Sequence, residues 1–131
     1  MIEATVQFEN FENATKRLKA ALEYDPLELD IVMDAVIQRF EFTFETAWKS
    51  VKLAAKAVGY DCKSPKGCLK LAYRMGWIKD EERWLELLEA RNLTSHTYDQ
   101  ETATYVYETV KYNCEVFDSL LKELKKKSDQ D

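Results

Sequence analysis

Arg91, His96 and Tyr98 stand close together in the stretch EARNLTSHTYDQ, and His96 is the only histidine of the chain. A guanidinium keeps its charge at any physiological pH and grips a phosphate through parallel hydrogen bonds. An imidazole takes up or gives back a proton near neutrality. Together the two groups could handle a phosphodiester without a metal. Asn92, Thr94 and Ser95 could hold a backbone or a water beside them. A plainer description also fits: a helix C-terminus, with cations near the negative end of the dipole and polar groups that cap it. Spacing leaves both descriptions open.

On one unbroken helix, the five positions from Arg91 to His96 turn the two side chains roughly 140° apart. Two arrangements would still bring them together. The helix can end before His96, or a symmetric dimer can set two copies of the motif face to face. Asn92 and His96 are four apart, as are Arg91 and Ser95. Each pair would share a face of a regular helix.

The elements that must hold this stretch are helices. Three glycines and two prolines in 131 residues supply too few turns for an all-β chain. Phe8, Phe11, Thr15, Leu18 and Leu22 recur at helical spacing and predict a first helix over about 8–24. Asp25 then caps and Pro26 opens a long second helix, expected to run to Val58 and stop at Gly59. Its main stripe is Met33, Val36, Phe40, Phe44, Ala47, Val51, Ala54 and Val58. A second row, Ile31, Ala35 and Phe42, widens the apolar surface. A helix apolar on two sides is buried on two sides, so this is the expected central helix, with one face left for a partner subunit.

A short third helix opens at Ser64-Pro65, is lined by Cys68, Leu71, Ala72 and Met75, and ends at Gly76. The fourth starts at Asp80, carries Trp84, Leu87 and Leu88, and runs into the Arg91 stretch. The fifth begins at Asp99, a candidate N-cap with Glu101 in the first turn. Its stripe is Ala103, Val106, Val110, Phe117, Leu120 and Leu124. The tail from Lys125 is expected to fray. The reading is an all-α fold of about five helices in one domain, 1–131, with an ordered core of about 8–124. No internal repeat and no linker are expected.

Composition narrows the function classes. Apolar residues at 46% and charged residues at 33% describe a globular chain, not a disordered one. A net charge of −5 makes a poor general nucleic-acid binder, because phosphate contacts need Lys and Arg. Lys63, Lys66 and Lys70 form the best local basic cluster. No apolar run reaches membrane length and no signal-peptide pattern opens the chain. Three cysteines cannot all pair, and a reducing cytoplasm is the expected compartment. Cys62, Cys68 and His96 match no zinc pattern. No glycine-rich phosphate loop occurs. Neither metal nor cofactor is expected. Tyr105, Tyr107 and Tyr112 are expected to be packing or interface groups.

EARNLTSHTYD, taken with RFEFTFETAWKSVK and GCLKLAYRMGWI, resembles the nucleotidyltransferase substrate-binding proteins of the HEPN superfamily. The resemblance covers about 8–124. R-x4-H is loose by itself, and the neighbouring blocks make it specific. The resemblance implies an up-and-down helical bundle with a four-helix core, a homodimer, and a minimal nucleotidyltransferase as partner. It implies Arg91 and His96 as catalytic residues of a metal-independent RNase at the dimer cleft. The motif extends here to Tyr98. In a related toxin group the antitoxin nucleotidyltransferase transfers AMP to the tyrosine at that place and silences the toxin. Asn92 and Ser95 are the accompanying candidates for binding substrate or nucleotide. The alternative is a non-catalytic module that presents a nucleotide or acceptor substrate to the nucleotidyltransferase. A third possibility is a plain helical interaction protein in which His96 is only a cap.

Overall fold

The computed structural model describes residues 2–129, with side-chain surroundings for 4–127. Six α-helices and one 3-10 turn make up the described residues, which contain no strand: α1 (Ile2–Leu22), α2 (Val32–Ala57), α3 (Pro65–Arg74), α4 (Glu81–Asn92), the turn Thr94–His96, α5 (Gln100–Asn113) and α6 (Glu115–Asp129). None of these helices is long and apolar enough to cross a membrane. The all-α architecture agrees with the periodicity, and α2 is central, touching each of the other five α-helices.

The core is built from the expected stripes. Val36, Phe40, Phe44, Ala47, Val51 and Ala54 of α2 are buried, as are Ala103, Val106 and Val110 of α5 and Phe117, Leu120 and Leu124 of α6. Aromatic rings tie the helices together. Phe117 meets Phe11, Phe40 and Trp84 at centroid distances of 6.2, 6.4 and 5.3 Å. The Trp84 contact is edge-to-face at 88°, a geometry that the ring quadrupoles favour.

The helix boundaries differ from expectation in three places. First, α2 starts at Val32 and not at Pro26. Asp25 does cap, but it caps a single turn: its Oδ1 accepts from Leu27 N at 2.9 Å, and its carbonyl accepts from Glu28 N and Leu29 N. Leu27, Leu29 and Ile31 are 93%, 49% and 65% exposed. Most helical stability in proteins comes from packing, and here little core exists to pack against. Second, the expected fifth helix is two helices that meet at Cys114. Arg83 of α4 donates from Nη2 to the Tyr112 carbonyl and from Nε to Asn113 Oδ1, both at 2.8 Å. That carbonyl would otherwise serve the next turn, and the chain resumes through a shorter bond from Phe117 N to Cys114 O. Third, α1 begins six residues before Phe8, at Ile2. At the other end α6 carries the chain through Asp129. The last two residues of the tail, which was expected to fray, lie outside the described residues.

The stop signals act as their chemistry demands. Gly59 and Gly76 take φ of +89° and +78°, where a side chain would strain the backbone. Ser64 Oγ accepts from Gly67 N at 3.0 Å and opens α3. Cys62 and Cys68 are joined by a disulfide that ties the connection after α2 to α3, and Cys114 is free.

Candidate functional site

The motif occupies the corner where α4 hands over to α5. α4 ends at Asn92, and residues Thr94–His96 form a single 3-10 turn. Side-chain hydroxyls hold this corner. Thr94 Oγ1 donates to the Arg91 carbonyl at 2.7 Å, and Thr97 Oγ1 donates to the Thr94 carbonyl at 3.1 Å. Asp99 then caps α5, as its sequence position suggested. Its Oδ2 accepts from Thr102 N at 3.2 Å and from Thr102 Oγ1 at 2.8 Å. Of the two arrangements open to Arg91 and His96, the early helix end is the one present within a single chain. It also breaks the four-residue spacing that would pair Asn92 with His96 and Arg91 with Ser95.

Arg91 is half-buried on the last turn of α4 and reaches across to α2. Its Nη2 meets Glu45 Oε2 at 3.1 Å. Glu45 also pairs with Lys49, one helical turn on, at 3.4 Å. Burial pushes the Glu45 carboxyl up and is the largest single influence on it. The Trp48 indole, the Arg91 hydrogen bond and the charges of Arg91 and Lys49 together outweigh burial, so the carboxyl ends below its ordinary 4.5. The Trp48 Nε1–H lies near it without meeting full hydrogen-bond geometry. Two cations therefore share one carboxylate here.

His96, Asn92, Ser95 and Tyr98 are all exposed. The rings of His96 and Tyr98 pack edge-on at 6.2 Å. Tyr98 is 87% exposed, so its hydroxyl is open to an outside reactant. Among the described residues no hydrogen bond or ion pair joins Arg91 to His96. The structure thus brings His96 and Tyr98 together and gives Arg91 to Glu45. Glu45 and Lys49 were missed in the sequence. Their four-residue spacing is a legible helix pair, but the link from Glu45 to Arg91 crosses 46 positions and has no local signal.

Glu45 also borders an uncovered face. A groove of about 350 Å³ runs between α1 and α2, with Asn13, Arg17, Arg39, Phe42 and Glu45 in its lining. It shares Arg39 with a second groove of about 210 Å³, lined by Tyr24, Leu29, Ile31 and Ala35 among others. Phe42 is 51% exposed. The second apolar row, Ile31 just before α2 with Ala35 and Phe42 on it, is therefore apolar surface that the bundle leaves at least partly open.

The chain matches the family model described as nucleotidyltransferase substrate binding protein like over residues 6–126. The chain belongs to this family. A solved protein from Thermus thermophilus superposes with a TM-score of 0.81 at 31% identity, covering 88% of this chain and 98% of the other. A solved Haemophilus influenzae protein, described as revealing the fold of a substrate binding domain of a nucleotidyltransferase, superposes with a TM-score of 0.68 at 27% identity over 93% and 96% of the two chains. A Haemophilus influenzae protein named probable ribonuclease HepT is 40% identical over 83 residues, which is 60% of this chain and 57% of that relative. The match thus spans little more than half of that relative's length. The family supplies the frame suggested by the motif blocks, and the corner at Arg91–Tyr98 is its candidate site in this chain.

The Arg91–Glu45 pair makes a pH prediction. The folded pKa of Glu45 is depressed, so the stability it contributes is present above the unfolded value and lost as pH falls through the folded one. Glu45→Gln should be less stable than wild type near neutrality, by at most about 1 kcal/mol for a partly exposed pair. The gap should close on acidification below 4.5. Urea midpoints of both proteins, measured from neutral to acidic buffer, read this directly. A gap that stays constant would assign the cost of the substitution to something other than the carboxylate charge.

Proposed function

We propose that the chain is a HEPN-type subunit that pairs with a minimal nucleotidyltransferase, as the toxin of a toxin–antitoxin pair, and cleaves RNA without a metal at the cleft of a homodimer. One observation carries the reading. Arg91 and His96 stand at one corner, yet no hydrogen bond or ion pair joins them within one chain, and a second copy of the motif would complete the site. The uncovered face of α2 leads from Ile31 to Glu45, the carboxylate that holds Arg91. A second copy seated there would cover apolar surface and bring a second motif toward the first, each Å² of apolar area contributing about 25 cal/mol.

In this reading His96 accepts the proton of a ribose 2′-hydroxyl. The 2′-oxygen attacks phosphorus, the bond to the 5′-oxygen breaks, and a protonated imidazole of the pair returns a proton to that oxygen. Arg91 stabilises the charge that builds on the phosphorane-like transition state. Asn92 and Ser95 hold the substrate backbone. Tyr98 is the acceptor for AMP: its oxygen attacks the α-phosphorus of ATP, pyrophosphate leaves, and a base of the transferase takes the phenol proton. A nucleotide on Tyr98 would add negative charge and bulk beside His96, and an RNA phosphate would meet both. The cytoplasm is the proposed place of this chemistry, where the Cys62–Cys68 bridge would be reversibly opened to thiols.

Intact mass after incubation with the transferase, ATP and Mg²⁺ tests the modification. One or more AMP units should appear on wild type and none on Tyr98→Phe. AMP that persists on the variant means another acceptor. No AMP on wild type favours the non-catalytic binding module instead, a reading supported by the salt bridge that already occupies Arg91. Sedimentation checks the dimer, which Phe42→Arg should dissociate. A wild type that stays monomeric at micromolar concentration ends the shared-cleft reading.

A further inference from the structure

Three consecutive seven-residue units run through α5 into the first turn of α6: TYDQETA at 97–103, TYVYETV at 104–110 and KYNCEVF at 111–117. All three share only a tyrosine and a glutamate, a period within one segment and not a repeated structural unit. The last position of each unit, Ala103, Val110 and Phe117, is buried, which core packing explains. Core packing does not explain the outward positions. The second position is tyrosine throughout, and Tyr98, Tyr105 and Tyr112 are 87%, 43% and 75% exposed. The fifth is glutamate throughout, and Glu101, Glu108 and Glu115 are exposed. Seven residues fall only about 20° short of two full helical turns. Within α5, Tyr105 with Tyr112 and Glu101 with Glu108 therefore stay on one side of the helix, while Tyr98 lies in the turn just before it and Glu115 opens α6.

We propose that this tyrosine–glutamate face is the docking surface for the nucleotidyltransferase, and that the partner meets it with a basic helix. The proposal rests on the pairing put forward above. Continuity is the first argument: the tyrosine row starts at Tyr98, so a protein that reaches this hydroxyl must lie beside the row. Charge is the second. Glu101 and Glu108 make no ion pair among the described residues, and so are free to receive cations. The third tyrosine already shows the kind of contact expected. The Arg83 guanidinium lies 5.6 Å from the centre of the Tyr112 ring and pairs with Glu115 at 2.7 Å. One arginine thus satisfies a tyrosine and a glutamate of the same unit, and a partner's cations would do the same for the two units that lack one.

Chemistry also sorts the rival occupants. A carboxylate row repels phosphate, which disfavours RNA. A second copy would set glutamate against glutamate across a two-fold axis. A partner helix suits the period, because a seven-residue row is the seam that supercoiled helices follow. Tyrosine suits an interface, since it offers a large rigid contact at low entropic cost.

Titration of the purified nucleotidyltransferase from the same genome tests the proposal, with wild type, Tyr105→Ala, Glu101→Lys/Glu108→Lys and a distant Lys66→Ala control. Tyr105→Ala and the double charge reversal should each weaken binding at least about tenfold, and Lys66→Ala should not. Wild-type affinity should fall with added salt, and the charge-reversed variant should lose that dependence. RNA cleavage by both variants should stay at the wild-type level, and both should remain folded at the assay temperature, with at most a small drop in melting point for a half-covered tyrosine and a first-turn glutamate. If wild type binds and every variant binds equally well, the transferase docks elsewhere and the proposal falls while the pairing stands. If wild type does not bind at all, the pairing falls and takes the proposal with it. If the charge reversal instead changes the sedimentation of the chain alone, the face belongs to a second copy, and the proposal is overturned.

Discussion

His96→Ala should lower RNA cleavage by about 10²–10⁴-fold, the usual contribution of a general acid–base group, and should abolish growth arrest when the chain is expressed without its partner. Stability should hardly change. His96 is exposed, its ring makes one edge contact with Tyr98, and surface substitutions of this kind stay within about 0.5 kcal/mol. The separation of the two readouts is what gives the experiment force. A capping histidine would cost stability and leave cleavage per folded molecule intact. A catalytic one does the reverse. Growth arrest that survives His96→Ala would sink the RNase reading. Cleavage by wild type should also persist in EDTA, because Arg91 and His96 supply charge and proton transfer themselves. Arg91→Lys makes a sharper companion than Arg91→Ala. It keeps the charge facing Glu45 but loses the planar fork, so a fall in cleavage with an unchanged melt would assign the guanidinium to phosphate rather than to the salt bridge.

The largest loss of stability should come from Phe117→Ala. Phe117 is fully buried and touches rings of α1, α2 and α4. Removing a buried phenyl costs about 3–5 kcal/mol through lost transfer energy and the cavity left behind. Edge-to-face partners such as Trp84 add about 0.5–1.5 kcal/mol each. Against a total of about 5–15 kcal/mol for a domain, the variant should lie close to unfolding at physiological temperature. The thermal midpoint should drop by about 10–20 °C. Phe117→Leu should lose roughly half as much, since part of the volume is kept. Urea unfolding of the three proteins provides the check. A Phe117→Ala midpoint within a few degrees of wild type would mean that the four helices are not joined through this ring.

Local signals made much of the molecule legible. Helical spacing located the buried stripes of α2, α5 and α6, because each burial face repeats within one element. Ser64, Gly59, Gly76 and Asp99 were readable because a cap or a left-handed residue acts on its own neighbours. The motif blocks pointed to the family, and the family fold followed. Two of the differences have one cause. Residues 26–31 carry cap and proline signals for a helix, yet Leu27, Leu29 and Ile31 find little to pack against, and tertiary packing outweighs propensity. The break at Cys114 comes from Arg83, thirty positions from Asn113, and no window on the local sequence contains it.

The site divides in the same way. The sequence by itself determined that Arg91, His96 and Tyr98 lie at one end of a helix, with the residue types for phosphate and proton chemistry. It also determined that α2 carries more apolar surface than one stripe requires. Only the tertiary structure decided how these groups are used. It gave Arg91 a carboxylate on α2, a contact between side chains 46 positions apart. It ended α4 at Asn92, so His96 turned to solvent beside Tyr98 and away from any bond to Arg91. It also turned Tyr105 and Tyr112 of α5 outward and Tyr107 inward, because Ala103, Val106 and Val110 claimed the core side of this helix. Periodicity is a property of a segment and can be read from it. Pairing between segments depends on how whole helices pack, and that arrangement is fixed by the sum of all their faces.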